Sequence, residues 1–201
     1  MINIDMYINE LEKKWGKFRK KNRYFEQGKM PFVSKKARLN VLFEPLKDAE
    51  IKFIESKLGS LPDSLIAFYK KTNGCRLFFG SFNILGLRKN LKDIFEPYGI
   101  LEENFVLNLA TDTNIGGNEH YVFFASIGGD YFFAYKKEEK CQVYCMKKGD
   151  FKILKTFNNF QDFFEYYFYK LYNEYGTDCK KIHILPEDKD FPLLAHLTIE
   201  I

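Results

Sequence analysis

The side chains best suited to chemistry gather in one polar segment, ATDTNIGGNEHY, from Ala110 to Tyr121. Asp112, Glu119 and His120 are residue types that move protons, and Gly116–Gly117 would let a backbone approach a phosphate. The same residues serve turn geometry equally well, because Asp, Asn and Gly fold a chain back between strands. A general base needs a defined partner and a pocket, and this spacing supplies neither. His183 and His196 stand far from His120, and no HExxH pair, nucleophile elbow, Walker loop or dinucleotide fingerprint occurs. No catalytic residue is assigned, and the chain reads as a non-enzyme.

The four cysteines, Cys75, Cys141, Cys145 and Cys179, give no metal pattern either. Cys141 and Cys145 lie four apart in a strand-like segment and would share a face, but two further zinc ligands at suitable spacing are missing. In a chain of 201 residues whose start, MINIDMYINELEKKW, carries acidic residues where an export signal needs an apolar run, reduced, packed thiols and a cytoplasmic location are expected. No metal, no cofactor and no membrane-spanning helix are predicted.

Two features could recognise nucleic acid. Tyr121, Phe123, Tyr131, Phe133 and Tyr135 alternate along two adjacent predicted strands, as stacking rings would. Phe124 and Phe132 interleave with them, so both faces carry rings, and core packing is the better reading. The second feature is charge. Residues 1–40 hold eleven Lys or Arg against four Asp or Glu, a net +7, while the remainder is −3. Ile4, Ile8, Leu11, Trp15 and Phe18 recur at helical intervals, with Lys13, Lys14, Lys17, Arg19, Lys20 and Lys21 on the other faces. A helical segment over 1–40, docked on the core by Trp15, is favoured. A basic arm for nucleic acid or an anionic surface is the alternative.

The elements that must hold such a scaffold follow from periodicity. Residues 48–58 predict a helix capped by Asp48, with Ile51, Ile54 and Leu58 buried and Gly59 at its end. LPDSLIAFYKKTNG, from Leu61 to Gly74, predicts a second, with Pro62 in its first turn and Asn73–Gly74 closing it. Strands are expected at 76–79, 82–87, 105–109, 121–125, 131–135, 142–146 and 152–154, with a tight Gly128–Gly129–Asp130 hairpin. Leu91, Ile94 and Phe95 suggest a short inserted helix. Phe160, Phe163, Phe164, Tyr167, Phe168 and Leu171 line one face of a closing helix over 158–175, capped by Asn158 or Asn159. The tail LLAHLTIEI could add a strand. Helices, then sequential strands, then a helix indicate an α+β domain with a mainly antiparallel, twisted central sheet.

This order resembles the SUKH superfamily of Smi/Knr-type domains. The resemblance rests on DAEIKFIESKLGSLPDSLIAFYKKTNG, FNILGL, YVFFASIGGDYFFAY and FNNFQDFFEYYF. It covers residues 41–175, leaving the basic segment 1–40 and an extension 176–201 outside. Cys75 follows the NG pair where the family often has another Gly, and the GGD turn is compact; neither departure threatens the fold. The resemblance implies structural roles for Leu61, Pro62, Asn73, Gly74, Gly129 and Asp130. It also implies a binding function. Bacterial members include immunity proteins that neutralise a cognate toxin, and fungal relatives are regulatory scaffolds. A toxin domain, a nuclease among the candidates, is the partner so implied. Glu102, Glu103, Asp112, Asn118, Glu119, His120 and Asp130 are the candidate contacts. The +7 arm would repel a basic nuclease groove, so either it faces away or the toxin is of another kind.

Overall fold

Among the described residues, a meander of nine antiparallel strands carries four helices on one of its faces. The structure, a computed structural model, describes residues 2–88, 97, 100, 121–147 and 152–182. In chain order the elements are α1 (Ile4–Trp15), β1 (Arg19–Lys21), β2 (Tyr24–Lys29), β3 (Arg38–Phe43), α2 (Asp48–Leu58), α3 (Asp63–Tyr69), β4 (Cys75–Leu77), β5 (Phe82–Ile84), β6 (Tyr121–Ile127), β7 (Tyr131–Lys136), β8 (Val143–Lys147), β9 (Ile153–Phe157) and α4 (Phe160–Glu174). The strands sit in sequence order, each antiparallel to its neighbours, from β1 at one edge to β9 at the other. The α+β architecture expected from the sequence is what the chain adopts.

The core is a continuous body of rings between α4 and the sheet. The faces of Phe160, Phe163, Phe164, Tyr167 and Phe168 meet Phe82, Phe124 and Phe133 from the strands. Phe163 and Phe133 approach to 4.6 Å between centroids, and Phe124 stands at 90° to Phe163. Such edge-on packing suits the quadrupoles of the rings. A bulge in β6, where the register shifts between Phe123 and Ala125, turns both Phe124 and Ala125 to the helix side. The other face of β6–β8 carries a second cluster of Tyr121, Phe123, Phe132, Ala134, Tyr144 and Met146. The interleaved rings therefore pack on both sides, as core.

Several expectations change. The basic segment is not helical to residue 40: α1 stops at Trp15, and Gly16 at φ +80 leads into a hairpin. Phe18 and the basic residues from Lys17 to Lys21 thus lie off the helix, with Arg19–Lys21 forming the edge strand β1. Strands β1 and β2 carry too many polar residues to show an alternating apolar pattern, and β3 runs apolar on both faces after Asn40. Glu26 and Gln27 are buried in β2, and Asn40 is buried in β3. The N-cap of α2 is Lys47, not Asp48, and the Glu50 carboxylate accepts the Lys47 N–H at 2.9 Å. Asn159 does cap α4, its side chain accepting from Asp162 N–H.

The LPDSL helix is shorter than its signals, ending at Tyr69 with Pro62 as its N-cap. Asn73 and Gly74 do not close it. Asn73 instead clips the chain after β5, donating to Leu87 O at 2.9 Å and accepting Leu87 N–H at 2.7 Å. Gly74 has φ +79, and a Cβ there would stand 2.5 Å from Ile84 O; only glycine fits so close a backbone crossing. Cys141 precedes β8 and is exposed, whereas Cys75, Cys145 and Cys179 are buried. The pair does not share a strand face. Burial pushes the thiols of Cys75 and Cys145 up to about 12, which leaves them protonated and inert. The expected strand at 105–109, the short helix near 91–95 and the strand in LLAHLTIEI lie outside the described residues.

Candidate partner-binding site

A meander places alternate turns at the same end of its sheet. The β2–β3, β4–β5 and β6–β7 turns therefore share one end, where β8 also finishes and β9 begins. The register joins them directly: Phe82 pairs with Ile127, Gly128 N–H donates to Ser81 O at 3.3 Å, and Tyr131 pairs with Lys147. Successive hairpin turns stand about 10 Å apart, so the rim spans about 30 Å.

Exposed apolar residues gather on this rim. Phe32 and Val33 stand in the β2–β3 turn, Phe79 in the β4–β5 turn, and Ile153 and Leu154 at the start of β9, each 37–42% exposed. Asp130 and the two glycines of the β6–β7 turn sit between them, with Gly128 and Gly129 at φ +60 and +80. Lys35, Lys36, Lys147 and Lys152 are exposed around it. Aromatic and aliphatic side chains spaced along a rim with a charged border have the make-up of a protein-docking surface.

The β4–β5 turn is the most constrained part of the rim. Phe78 and Phe79 both adopt the left-handed region, at φ +54 and +58, a conformation costing a bulky residue roughly 1–2 kcal/mol. Neighbours hold them there. The Phe78 N–H donates to Asn40 Oδ1 at 3.0 Å, and Phe79 N–H to Leu39 O at 2.7 Å. The Phe78 ring is fully buried against Trp15 at 6.2 Å and Phe168 at 5.9 Å, and stacks on Tyr175 at 6.0 Å. Asn40 is itself fixed, its Nδ2 donating to Gln27 Oε1 at 2.9 Å, and Gln27 Nε2 donates to Gly16 O. Burying Phe78 in this way turns Phe79 outward. Strain maintained by a dedicated polar and aromatic clamp is a recognised mark of functional positions.

Of the residues singled out from the sequence, Asp130 lies on this rim. Glu102, Glu103, Asp112, Asn118, Glu119 and His120 lie outside the described residues. Leu61 is buried under α3, and Pro62, Asn73 and Gly74 have the backbone roles given above. Sequence reasoning missed Phe32, Val33, Phe79, Ile153 and Leu154. Phe78–Phe79 read as the end of a strand, and two bulky residues before Gly80 give no sign of left-handed backbone. Among the described residues, no group of three or more His, Cys, Asp and Glu is arranged to hold a metal ion, and no helix is long and apolar enough to cross a membrane.

The architecture is that of an α+β domain with one ring-packed sheet and an apolar rim of turns. The chain belongs to the SMI1 / KNR4 family (SUKH-1), whose model matches residues 45–166. That span runs from just after β3 to the middle of α4, so α1 and β1–β3 precede it. No curated protein matches the chain.

Proposed function

We propose that the protein is a non-catalytic immunity protein, one that neutralises a cognate toxin by covering it with the turn-built rim. Family membership supports the class, because bacterial SUKH domains include such proteins. The observation that carries the choice of surface is Phe79, an exposed ring fixed in an unfavourable backbone conformation by Asn40, Leu39 and the burial of Phe78. A rigid, pre-positioned aromatic anchor loses little entropy on binding and is the usual kind of hot spot.

Phe79 would fill an apolar pocket on the toxin, with Phe32, Val33, Ile153 and Leu154 excluding water around it. Four exposed lysines surround one exposed Asp130. That border favours a toxin face with acidic residues about its pocket over the basic groove of a nuclease. The basic N-terminal segment gives little support to nucleic-acid binding, since Lys17 is paired with Glu12, Lys20 with Glu44 and Arg38 with Glu26.

The test is to look for a toxin gene directly upstream and to co-express its toxic domain in bacteria with this protein. Survival with the wild-type protein and death with Phe79→Asp are expected. Equal killing with and without the wild-type protein excludes that pairing, and equal protection by Phe79→Asp excludes the rim.

A further inference from the structure

A cleft of about 380 Å³ opens beside the N-terminal hairpin, away from the family-matched span. Its position follows from a mismatch of strand lengths. The three residues of β1 pair with Glu26, Phe25 and Tyr24, which is only half of β2. Gln27, Gly28 and Lys29 continue past the end of β1, and the cleft lies along them. Trp15, Gly16 and Lys17 form one wall and Thr177, Asp178 and Cys179 another.

The charges divide unevenly. Arg38 contacts Glu26 at 3.1 Å, and Lys17 is held by Glu12. Arg19 and Lys29 also line the cleft and are exposed, and neither has an ion-pair partner among the described residues; against them the lining sets one unpaired carboxylate, Asp178, which accepts the Lys180 N–H at 3.0 Å. We propose that this cleft receives an extended, acidic polypeptide segment. It continues the line of β1 along residues 27–29 of β2 and sets carboxylates on Arg19 and Lys29.

Three observations favour a polypeptide over other anions. The slot runs along an incompletely covered strand, where main-chain pairing is the natural mode of recognition. Two uncompensated cations are too few for a phosphate backbone, whose binding draws on many such contacts. The Trp15 ring is not offered for base stacking: its N–H donates to Gly176 O at 2.7 Å, and Tyr172 packs edge-on at 5.2 Å. The acidic character follows from β1 itself. Arg19, Lys20 and Lys21 are all exposed, and basic residues on an edge strand reject neutral or basic strands, including a second copy of the same edge.

Trp15 is the chain's one tryptophan, so its fluorescence reports on the cleft. The full chain is titrated with an octapeptide alternating Glu and Val, with a Gln–Val octapeptide, and with a single-stranded oligonucleotide. A saturable change with the Glu peptide alone is expected, weakening as salt rises. Arg19→Glu with Lys29→Glu should weaken it at least about tenfold while the circular dichroism melt is unchanged, and Arg19→Lys with Lys29→Arg should retain it. Equal binding of the Gln–Val peptide, salt-independent binding, preference for the oligonucleotide, or no saturable change with any probe overturns the proposal. The outcome is independent of the toxin reading, since the rim residues are untouched.

Discussion

The family-matched body and the N-terminal extension share one core but are held to it by different mixtures of contacts. The body buries rings: α4 alone sets Phe160, Phe163, Phe164, Tyr167 and Phe168 against the sheet. The extension of α1 and β1–β3 also buries Ile4, Tyr7, Leu11, Leu39 and Leu42, but adds directed polar contacts to them. The Tyr7 hydroxyl donates to Glu165 at 2.5 Å, Asn40 joins Gln27 to Phe78, and β3 meets β4 through only two register pairs. Rings supply stability without direction, while amides and carboxylates supply direction at a modest net gain. The contrast shows how the extension shapes a turn of the body. It is the extension, through Asn40, Leu39 and Trp15, that holds Phe78 and Phe79 of the body in their left-handed turn.

The largest expected effect tests the body. Phe163→Ala removes a fully buried ring contacting Phe82, Phe124, Phe133 and Phe157, and should cost about 3–5 kcal/mol in denaturant unfolding. A loss near 1 kcal/mol would mean that the ring cluster is not the cohesive unit. Asn40→Ala tests the extension. It orphans the buried Phe78 N–H and the Gln27 amide oxygen and should cost about 2–3 kcal/mol, with added amide exchange confined to β2, β3 and the β4–β5 turn. Exchange rising evenly over α4 would contradict the division of labour.

Phe79→Gly is the sharper change, because its sign is unusual. Glycine at φ +58 should raise stability by about 1 kcal/mol, visible as a higher melting temperature, while removing the anchor from the rim. A destabilised variant would mean that the exposed ring serves packing. The smallest effect lies at the seam beside α4. Glu174 is fully buried, with Lys181 at 3.3 Å, and burial raises its carboxyl above the ordinary range despite that lysine. An acid with a raised folded value is favoured when protonated, so its contribution is present at low pH and is lost as pH rises through that value. The melting temperature of Glu174→Gln relative to wild type should therefore climb as pH rises from the ordinary carboxylate range through the raised value. A constant difference would remove Glu174 from the pH response.

How much was legible in the sequence follows the same contrast. The α2 span was read as it stands, and β6–β9 and α4 emerged within a few residues, because rings and aliphatics repeat there at helical or strand period. The hairpin of the extension was missed because β1 is RKK, exposed throughout, and β2 buries Glu26 and Gln27. Polar residues in core positions erase the alternation that marks a strand. The NG pair after α3 looked like a helix stop, yet Asn73 satisfies Leu87 instead, a contact fourteen residues away that no local rule contains. The rim was invisible for a related reason. Its residues come from turns that only the meander order brings together, and the left-handed backbone at Phe78–Phe79 is imposed by partners distant in sequence.

If the rim of turns, held by the extension, is the surface that meets a toxin, binding should shield those turns and leave the helices as they are. Hydrogen-exchange footprinting of this protein with and without the bound toxic domain tests it most directly. Protection is expected over residues 30–37, 78–81 and 128–130, with exchange in α2, α3 and α4 unchanged. Protection confined to the helices, with those three turns exchanging as in the free protein, would contradict it.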